Sequence, residues 1–339
     1  MPDGVTGGAS GRATSAAVPV KTLVVITGPT ASGKTALAIE VARRLGCEII
    51  SVDSRQIYRG MPVGTAAPTA EETAAVRHHF VATLDPTAYY SAAMFEQDAL
   101  AKLRELWRSV DYAVMCGGSM MYVDAVTRGI DELPTVSPDV RAEAQRVFRE
   151  EGTQGVIDRL RVLDPRYLEE VDINNHKRLV HALEICMEAG APYSSLRTGA
   201  VKKRDFRILK FAVDMPRQEL FDRINARVER MVADGLVEEA RALLPLRGEN
   251  ALNTVGYKEM FRYLDGEWDL PTAVARMQKN TRVYAKKQLT WLRRDPEVIW
   301  IAPGDADTVI AALRPVPEST GRTPHRADVH PPGMYSCNR

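Results

Sequence analysis

The sequence predicts an α/β fold: a parallel sheet wrapped by helices and interrupted by an all-helical insertion. Three observations predict it. From residue 22 to about 128, short apolar runs alternate with helical patterns, as successive βαβ units require. The stretch Gly28-Pro-Thr-Ala-Ser-Gly-Lys34-Thr35 fits G-x-x-x-x-G-K-[ST] at every defined position, with an apolar run before it and helix formers after it. From Pro134 to about Lys202 the pattern is helical without a convincing strand, and Arg207-Ile-Leu-Lys-Phe-Ala-Val213 then returns to strand.

Leu23-Val-Val-Ile26 is the first strand and Ala36 to Leu45 the helix after the loop. Gly28 and Gly33 let the backbone wrap with its N–H groups inward around Pro29, Thr30, Ala31 and Ser32. The helix adds its positive end, Lys34 a point charge, and Thr35 a hydroxyl for Mg²⁺. The core is thus P-loop NTPase-like and binds a phosphorylated ligand. Cys47 to Asp53 is an apolar run ending in a carboxylate, a buried strand with Asp53 at the sheet edge where ligands sit. Ser54 and Gln56 follow beside the loop. Arg59 to Thr65 is rich in turn formers, Pro68 to Thr73 starts a helix, and His79 to Leu84 reads as a third strand. Ser91 to Leu106 is a helix with Met94, Leu103 and Leu106 on its packed face. The strand Tyr112 to Cys116 runs into Gly117-Gly118-Ser119, a turn that lets backbone approach a ligand, and Met120 to Val126 is helical.

In the insertion, helices begin at Ser137-Pro138, at Gly155 and at Asn175, the last with Leu179, Leu183, Cys186 and Met187 on one face and Gly190 as its cap. Arg207 to Val213 reads as the last strand of the sheet. Pro216 opens an amphipathic helix through Leu220, Ile224, Val228 and Met231, and a helix hairpin follows to Leu244. Asn253 to Lys258 is a loop centred on Gly256. The last helix, about Leu270 to Arg294, carries Lys279, Arg282, Lys286, Lys287, Arg293 and Arg294 with no acidic residue among them. Val298 to Ile301 is a candidate final strand. The expected organisation is a disordered leader over 1–20, a core over 21–130 and 205–302, a helical insertion over 131–204, and a mostly disordered, proline-rich tail over 303–339.

The chain has 339 residues, 45% of them apolar and 26% charged, with a net charge of +1. That excludes a global polycation, so any nucleic-acid site is a local patch. The four cysteines form no C-x-x-C pair, which indicates neither a zinc site nor a disulfide framework and suits a reducing cytosol. No run approaches the ~18 apolar residues of a membrane span.

The chemistry turns on Asp53. The strand before Gly117 lacks the terminal Asp that holds Mg²⁺ in motor-type ATPases. Asp53 can ligate Mg²⁺ through water, position a nucleophile, accept a proton, cap a helix or pair with Lys34. Ser119 can bond a ligand or cap the next helix. The basic stripe is a solvated face or a nucleic-acid contact, with Tyr284 and Trp291 as stacking surface or core. Of His78 and His79, one should be buried and the other exposed. A P-loop small-molecule or nucleotide kinase with a helical lid is the alternative reading.

Taken together, Gly28 to Thr35, Asp53-Ser-Arg-Gln-Ile-Tyr58, Gly64-Thr-Ala66, His78-His79 and Gly117-Gly118-Ser119 resemble the tRNA dimethylallyltransferase (tRNA isopentenyltransferase) family. So do Lys177-Arg-Leu179, Val255-Gly-Tyr257 and Thr281-Arg-Val-Tyr-Ala-Lys-Lys-Gln-Leu-Thr-Trp-Leu292. The resemblance spans about Thr22 to Arg294. It implies transfer of a dimethylallyl group from dimethylallyl diphosphate to N6 of the adenine beside the anticodon, position 37 of tRNA. The loop would cradle the diphosphate and Thr35 hold Mg²⁺. Asp53 would accept the N6 proton, Lys34 and Arg223 would neutralise the leaving group, and Ser119 would assist. The resemblance also implies tRNA contacts, to the anticodon stem-loop, from Asp53, Ser54, Arg55, Gln56, Ser119, Arg141, Lys177, Arg178, Leu179, Val180, His181, and Asn253, Thr254, Val255, Gly256, Tyr257 and Lys258. The basic stripe, including Arg282 and Lys286, is assigned to the RNA backbone. A cytoplasmic monomer with no membrane and no obligate protein partner is expected. Two departures stand out: Ser119 where the family has Thr, and Ala67 where a Lys usually precedes Pro68.

Overall fold

A computed structural model describes residues 20–313; the predicted leader up to residue 19 and the tail from 314 lie outside the described residues. The described chain contains a six-stranded parallel sheet in the order β3-β2-β4-β1-β5-β6. β1 (Thr22–Thr27) is buried at every position because β4 and β5 flank it and helices cover both faces, which is why Leu23 to Ile26 are all apolar rather than alternating. α1 (Lys34–Leu45) follows the loop and ends at Gly46, whose φ of 61° supplies the left-handed cap. β2 (Ile49–Ser51) delivers Val52 and Asp53 to the carboxyl edge of the sheet.

The turn-rich segment after β2 contains a short helix, α2 (Pro62–Thr65), and α3 (Ala70–Ala75) begins in a capping box between Thr69 and Glu72. β3 (His78–His79) is much shorter than the predicted third strand. Phe80 and Ala82 take φ of 63° and 50°, a left-handed geometry that breaks the ladder with β2, and the chain meets Tyr58 again only through a bridge at Leu84. α4 (Ala92–Leu106) buries Phe95, Glu96, Ala99 and Leu103 rather than a face through Met94, which is exposed. Glu96 tolerates burial because Arg204 bonds it at 2.8 Å and the Ile130 N–H at 3.1 Å. β4 (Tyr112–Cys116) leads through the Gly-Gly turn into α5 (Met120–Arg128).

Between residues 129 and 206 all regular structure is helical. α6 (Pro138–Leu163) joins the two predicted helices across a kink at Gly152, where φ is 68°. α7 (Pro165–Glu170), α8 (His176–Ala189) and α9 (Tyr193–Leu196) complete the segment. It has its own core, with Val147, Val156, Leu160, Leu179 and Leu183 packed together.

β5 (Arg207–Val213) pairs with β1, and α10 (Arg217–Ala233), α11 (Leu236–Ala242), α12 (Tyr257–Leu264) and α13 (Leu270–Leu292) follow on the sheet face that carries α4 and α5. β5 is not the last strand, because β6 (Val298–Ile301) adds outside it. The predicted mostly disordered region from 303 begins instead with α14 (Ala306–Leu313). Ala306, Val309 and Leu313 bury themselves in the cluster around α1, on the opposite face of the sheet. No helix among the described residues is long and apolar enough to cross a membrane.

Candidate active site

The phosphate loop, the end of β2 and the end of β4 meet at the carboxyl edge of the sheet. Gly28 has φ of 149°, and a Cβ there would lie 2.9 Å from Ser32 Oγ and 3.3 Å from the Val213 N, so only glycine lets the loop fold back against β5. Lys34 opens α1 and donates to the Pro29 carbonyl at 3.3 Å. A cavity of about 80 Å³ lies in front of the loop, lined by Lys34, Thr35, Asp53, His78, Arg227 and Gln288 among others. A larger cavity of about 170 Å³ lies between α5 and the end of α13, lined by Met120, Val123 and Trp291; Thr27 is as near as it comes to the phosphate loop.

Asp53 serves two ends at once. Its Oδ1 accepts the Arg55 N–H at 2.9 Å and the Gln56 N–H at 3.3 Å, so it caps the Ser54–Tyr58 turn. Its other oxygen makes no hydrogen bond among the described residues, and Asp53 faces the cavity with Lys34 and Arg227 as charged neighbours. Where a Walker-B carboxylate would stand, the structure has Cys116. Burial pushes this thiol up to about 12, so it stays neutral.

Burial lowers the Lys34 ammonium from its ordinary value of 10.5, and Arg227 adds to this while Asp53 opposes it. An anion in the cavity needs the charged form. Affinity for inorganic diphosphate should therefore fall as pH rises, with the loss beginning below the ordinary lysine range; calorimetric titration between pH 7 and 10 reads it, and an affinity flat to pH 10 would contradict this placement of Lys34.

Arg223 and Arg227 sit one turn apart on α10. Arg223 stands over Gly33, with its guanidinium 3.5 Å from where a Cβ would be. Arg227, which sequence reasoning missed, goes deeper: it lines the cavity and donates to Thr30 Oγ1 at 3.3 Å. Its i+4 spacing from Arg223 was the available signal. Two polar atoms are buried here without a partner among the described residues, Ser32 Oγ inside the loop and His78 Nε2 at the cavity wall. Both therefore keep hydrogen-bonding capacity for a group that enters the cavity. Neither histidine is exposed, contrary to expectation: His79 is buried and bonds Glu48, while half-buried His78 engages the Val76 carbonyl through Nδ1.

The glycines of the Gly-Gly turn serve the protein's own packing. A Cβ on Gly117 would lie 2.3 Å from the Val52 carbonyl oxygen, and one on Gly118 2.3 Å from Gln288 Nε2. Gln288 comes from α13, 170 residues away in sequence. It accepts the Thr30 N–H and donates to the Gly118 carbonyl, both at 2.9 Å, and so fastens the phosphate loop to the turn. Ser119 neither caps α5 with its hydroxyl nor points free. It accepts the Ser54 N–H at 2.9 Å and donates to Ser54 Oγ at 3.2 Å. Tyr284 is part-exposed along its ring, but its hydroxyl lies against Gly118, and burial with Asp53 nearby raises it to about 12.

The residues assigned to RNA separate into two groups. Arg55 reaches the Asn250 carbonyl at 2.6 Å, and Lys258 sits near enough to Arg55 and Lys177 that burial and these two cations lower its pKa. Lys177 is in the helical segment, so core and insertion share one positive surface, with Arg178 and His181 on the same helix and Arg141 over the exposed Tyr89 ring at 5.2 Å. Asn253 is exposed and Thr254 and Val255 are half-buried. Against this, Leu179 and Val180 lie in the insertion's core and Tyr257 is completely buried, so these side chains leave the RNA-facing set, and Gly256 beside Tyr257 is buried as well. They read as site residues because they sit inside motifs whose exposed members surround them. Gln56 has both amide hydrogens occupied by the Thr65 and Ala66 carbonyls. On α13, Lys279, Arg282, Lys286 and Arg293 share the face opposite buried Met277, Ala285, Gln288 and Leu292, and Lys286 and Arg282 lie over Phe221 of α10. Trp291 is part-exposed, and its indole N–H donates to Asp124 at 3.1 Å.

Comparison with known proteins agrees with this geometry. The family model described as IPP transferase matches residues 56–295. The chain is 50% identical over 294 residues to tRNA dimethylallyltransferase 2 of Parabacteroides distasonis, covering 87% of this chain and 98% of that protein. Among solved structures, the tRNA isopentenylpyrophosphate transferase of Bacillus halodurans superposes with a TM-score of 0.62 at 35% identity, covering 86% of this chain and 97% of that one. A eukaryotic dimethylallyltransferase acting on tRNA shares the fold, with a TM-score of 0.71 at 20% identity over 88% of this chain and 81% of that one. With the family match running through most of the chain and a relative half identical to it along nearly its whole length, the chain belongs to the IPP transferase family of tRNA dimethylallyltransferases.

Proposed function

We propose that the chain transfers a dimethylallyl group from dimethylallyl diphosphate to N6 of adenine 37, beside the anticodon of tRNA. The observation that carries this reading is the pairing of Asp53, one oxygen unengaged, with Lys34 and Arg227 around one small cavity, where Cys116 replaces the carboxylate an ATP-splitting site would place there. An exocyclic adenine amine is a weak nucleophile. It needs a proton acceptor and a stabilised leaving group. The loop N–H groups, Lys34, Arg223 and Arg227 hold the departing diphosphate. Asp53 receives the N6 proton as N6 bonds the allylic carbon and the carbon–oxygen bond to diphosphate breaks. The adenine reaches this cavity unstacked from its loop.

Mg²⁺ suits the donor set. Thr35 offers a hard hydroxyl oxygen in the cavity, and a cation shared with substrate phosphates takes only one or two protein ligands. Bound there, it would neutralise charge on the diphosphate. The positive surface around Arg55, Lys177 and Lys258 and the α13 stripe support contact with an RNA backbone. Replacing Lys286 with alanine should weaken tRNA binding and reduce the slope of log K against log salt by about 1; an unchanged slope removes Lys286 from the RNA contact. A kinase reading is not favoured, since the family and its named members are transferases acting on another donor.

The experiment is direct. Purified protein, Mg²⁺, labelled dimethylallyl diphosphate and unmodified tRNA should give labelled tRNA, without ATP. Folded protein that incorporates no label overturns the reading.

A further inference from the structure

We propose that Glu239, on α11, is a positioning residue for the transfer, acting on Asp53 through a hydrogen-bonded relay across α2. The proposal rests on the reading of Asp53 as proton acceptor. Glu239 lines no part of the cavity, yet its carboxylate gathers three donors. Oε2 accepts the Val63 N–H at 2.8 Å, and Oε1 accepts the Gly64 N–H at 2.7 Å and the Tyr257 hydroxyl at 2.6 Å.

The two N–H groups belong to the first turn of α2, where a helix has no internal acceptors for them and favours a negative charge. The far end of α2 is a left-handed turn at Ala66, with φ of 46°, and there the Thr65 and Ala66 carbonyls accept both hydrogens of the Gln56 amide at 3.1 and 2.9 Å. The Gln56 backbone N–H in turn donates to Asp53 Oδ1. Thr65, Ala66 and Gln56 all face the cavity. A single carboxylate thus fixes a four-residue helix whose other end sets the wall of the donor cavity and the residue that orients Asp53.

The arrangement is tight. A Cβ on Gly64 would lie 2.5 Å from the Tyr257 ring, so α2 rests directly on that ring, and the hydroxyl of the same ring is what Glu239 holds. Changing the carboxylate moves the turn, and displacing a reacting group slightly is costly in rate even where binding persists.

The test is a double-mutant cycle on wild type, Glu239→Gln, Gln56→Leu and the double variant, with kcat, donor KM, inorganic diphosphate affinity and thermal midpoint measured for each. Glu239→Gln keeps the shape and turns one acceptor into a donor. It should lower kcat about tenfold, with donor KM and diphosphate affinity within about twofold, and the double variant should be no slower than Gln56→Leu alone within about twofold. Independent, multiplying effects on kcat overturn the relay, as does an unchanged kcat or a parallel loss of diphosphate binding. If Glu239→Gln fails to fold, Glu239→Asp, with the charge on a shorter arm, carries the same cycle. A wild-type protein that transfers no label takes down the functional reading and the relay together; a wild type that transfers while the two substitutions multiply takes down the relay alone.

Discussion

Asp53→Ala is expected to lower the rate of transfer about 10³-fold, the size associated with losing a positioned proton acceptor. Single-turnover kinetics with enzyme in excess over tRNA reads this without interference from product release. Binding of inorganic diphosphate should survive, because the loop N–H groups, Lys34 and Arg227 are untouched. Some loss beyond the chemistry is expected, since Asp53 Oδ1 also caps the Ser54–Tyr58 turn. Asp53→Asn separates the two roles. It keeps a capping oxygen and removes the proton acceptor, so it should be as slow as the alanine variant but more stable by about 1 kcal/mol, the usual value of a cap. An alanine variant with wild-type turnover would show that the proton goes elsewhere.

Gln288→Leu should act on both stability and donor binding. Gln288 is 2% exposed, and its amide satisfies the Thr30 N–H and the Gly118 carbonyl. Leucine matches its volume but leaves both groups without a partner, at about 1–3 kcal/mol each. The thermal midpoint should fall by about 5 °C for a chain of this length, taking roughly 3 kcal/mol against the entropy of unfolding. Donor KM should rise, because Thr30 belongs to the loop proposed to hold the diphosphate and its N–H is then free to turn. Unchanged stability together with an unchanged KM would mean that α13 and the phosphate loop are not joined at this point.

At the glycine-rich loop, the first strand and the end of the second, the residues named the structure correctly, whereas the packed face predicted through Met94 did not hold. Gly28 to Thr35 marks a phosphate loop because the wrapped backbone needs glycines at fixed spacing and the helix must start immediately after. The uniform apolar run of β1 marks a central parallel strand because both faces are covered. Asp53 was visible as the carboxylate ending a buried strand. Where burial came from distant residues, the reading failed. Tyr257 lies in a motif but faces inward, and nothing in its neighbours' spacing says so, whereas the i, i+4 spacing of Leu179 with Leu183 already set Leu179 on a packed face against its motif reading. The Gly-Gly turn read as room for a ligand, whereas Gly117 makes room for the Val52 carbonyl and Gly118 for Gln288. Phe80 and Ala82 carry no sequence mark of the left-handed geometry that ends β3.

The chain's own order of residues therefore establishes the α/β class, the glycine-rich loop between β1 and α1 and the carboxylate at the end of β2, because each is set by contacts within a few residues. The arrangement that makes those parts work together is set by Arg227 on Thr30, Gln288 between the loop and the Gly-Gly turn, and Glu239 on α2, contacts that span 197, 258 and 176 residues. Such pairs leave no periodic trace in a sequence. They exist only once the sheet has brought α10, α11 and α13 over the carboxyl edge of its strands.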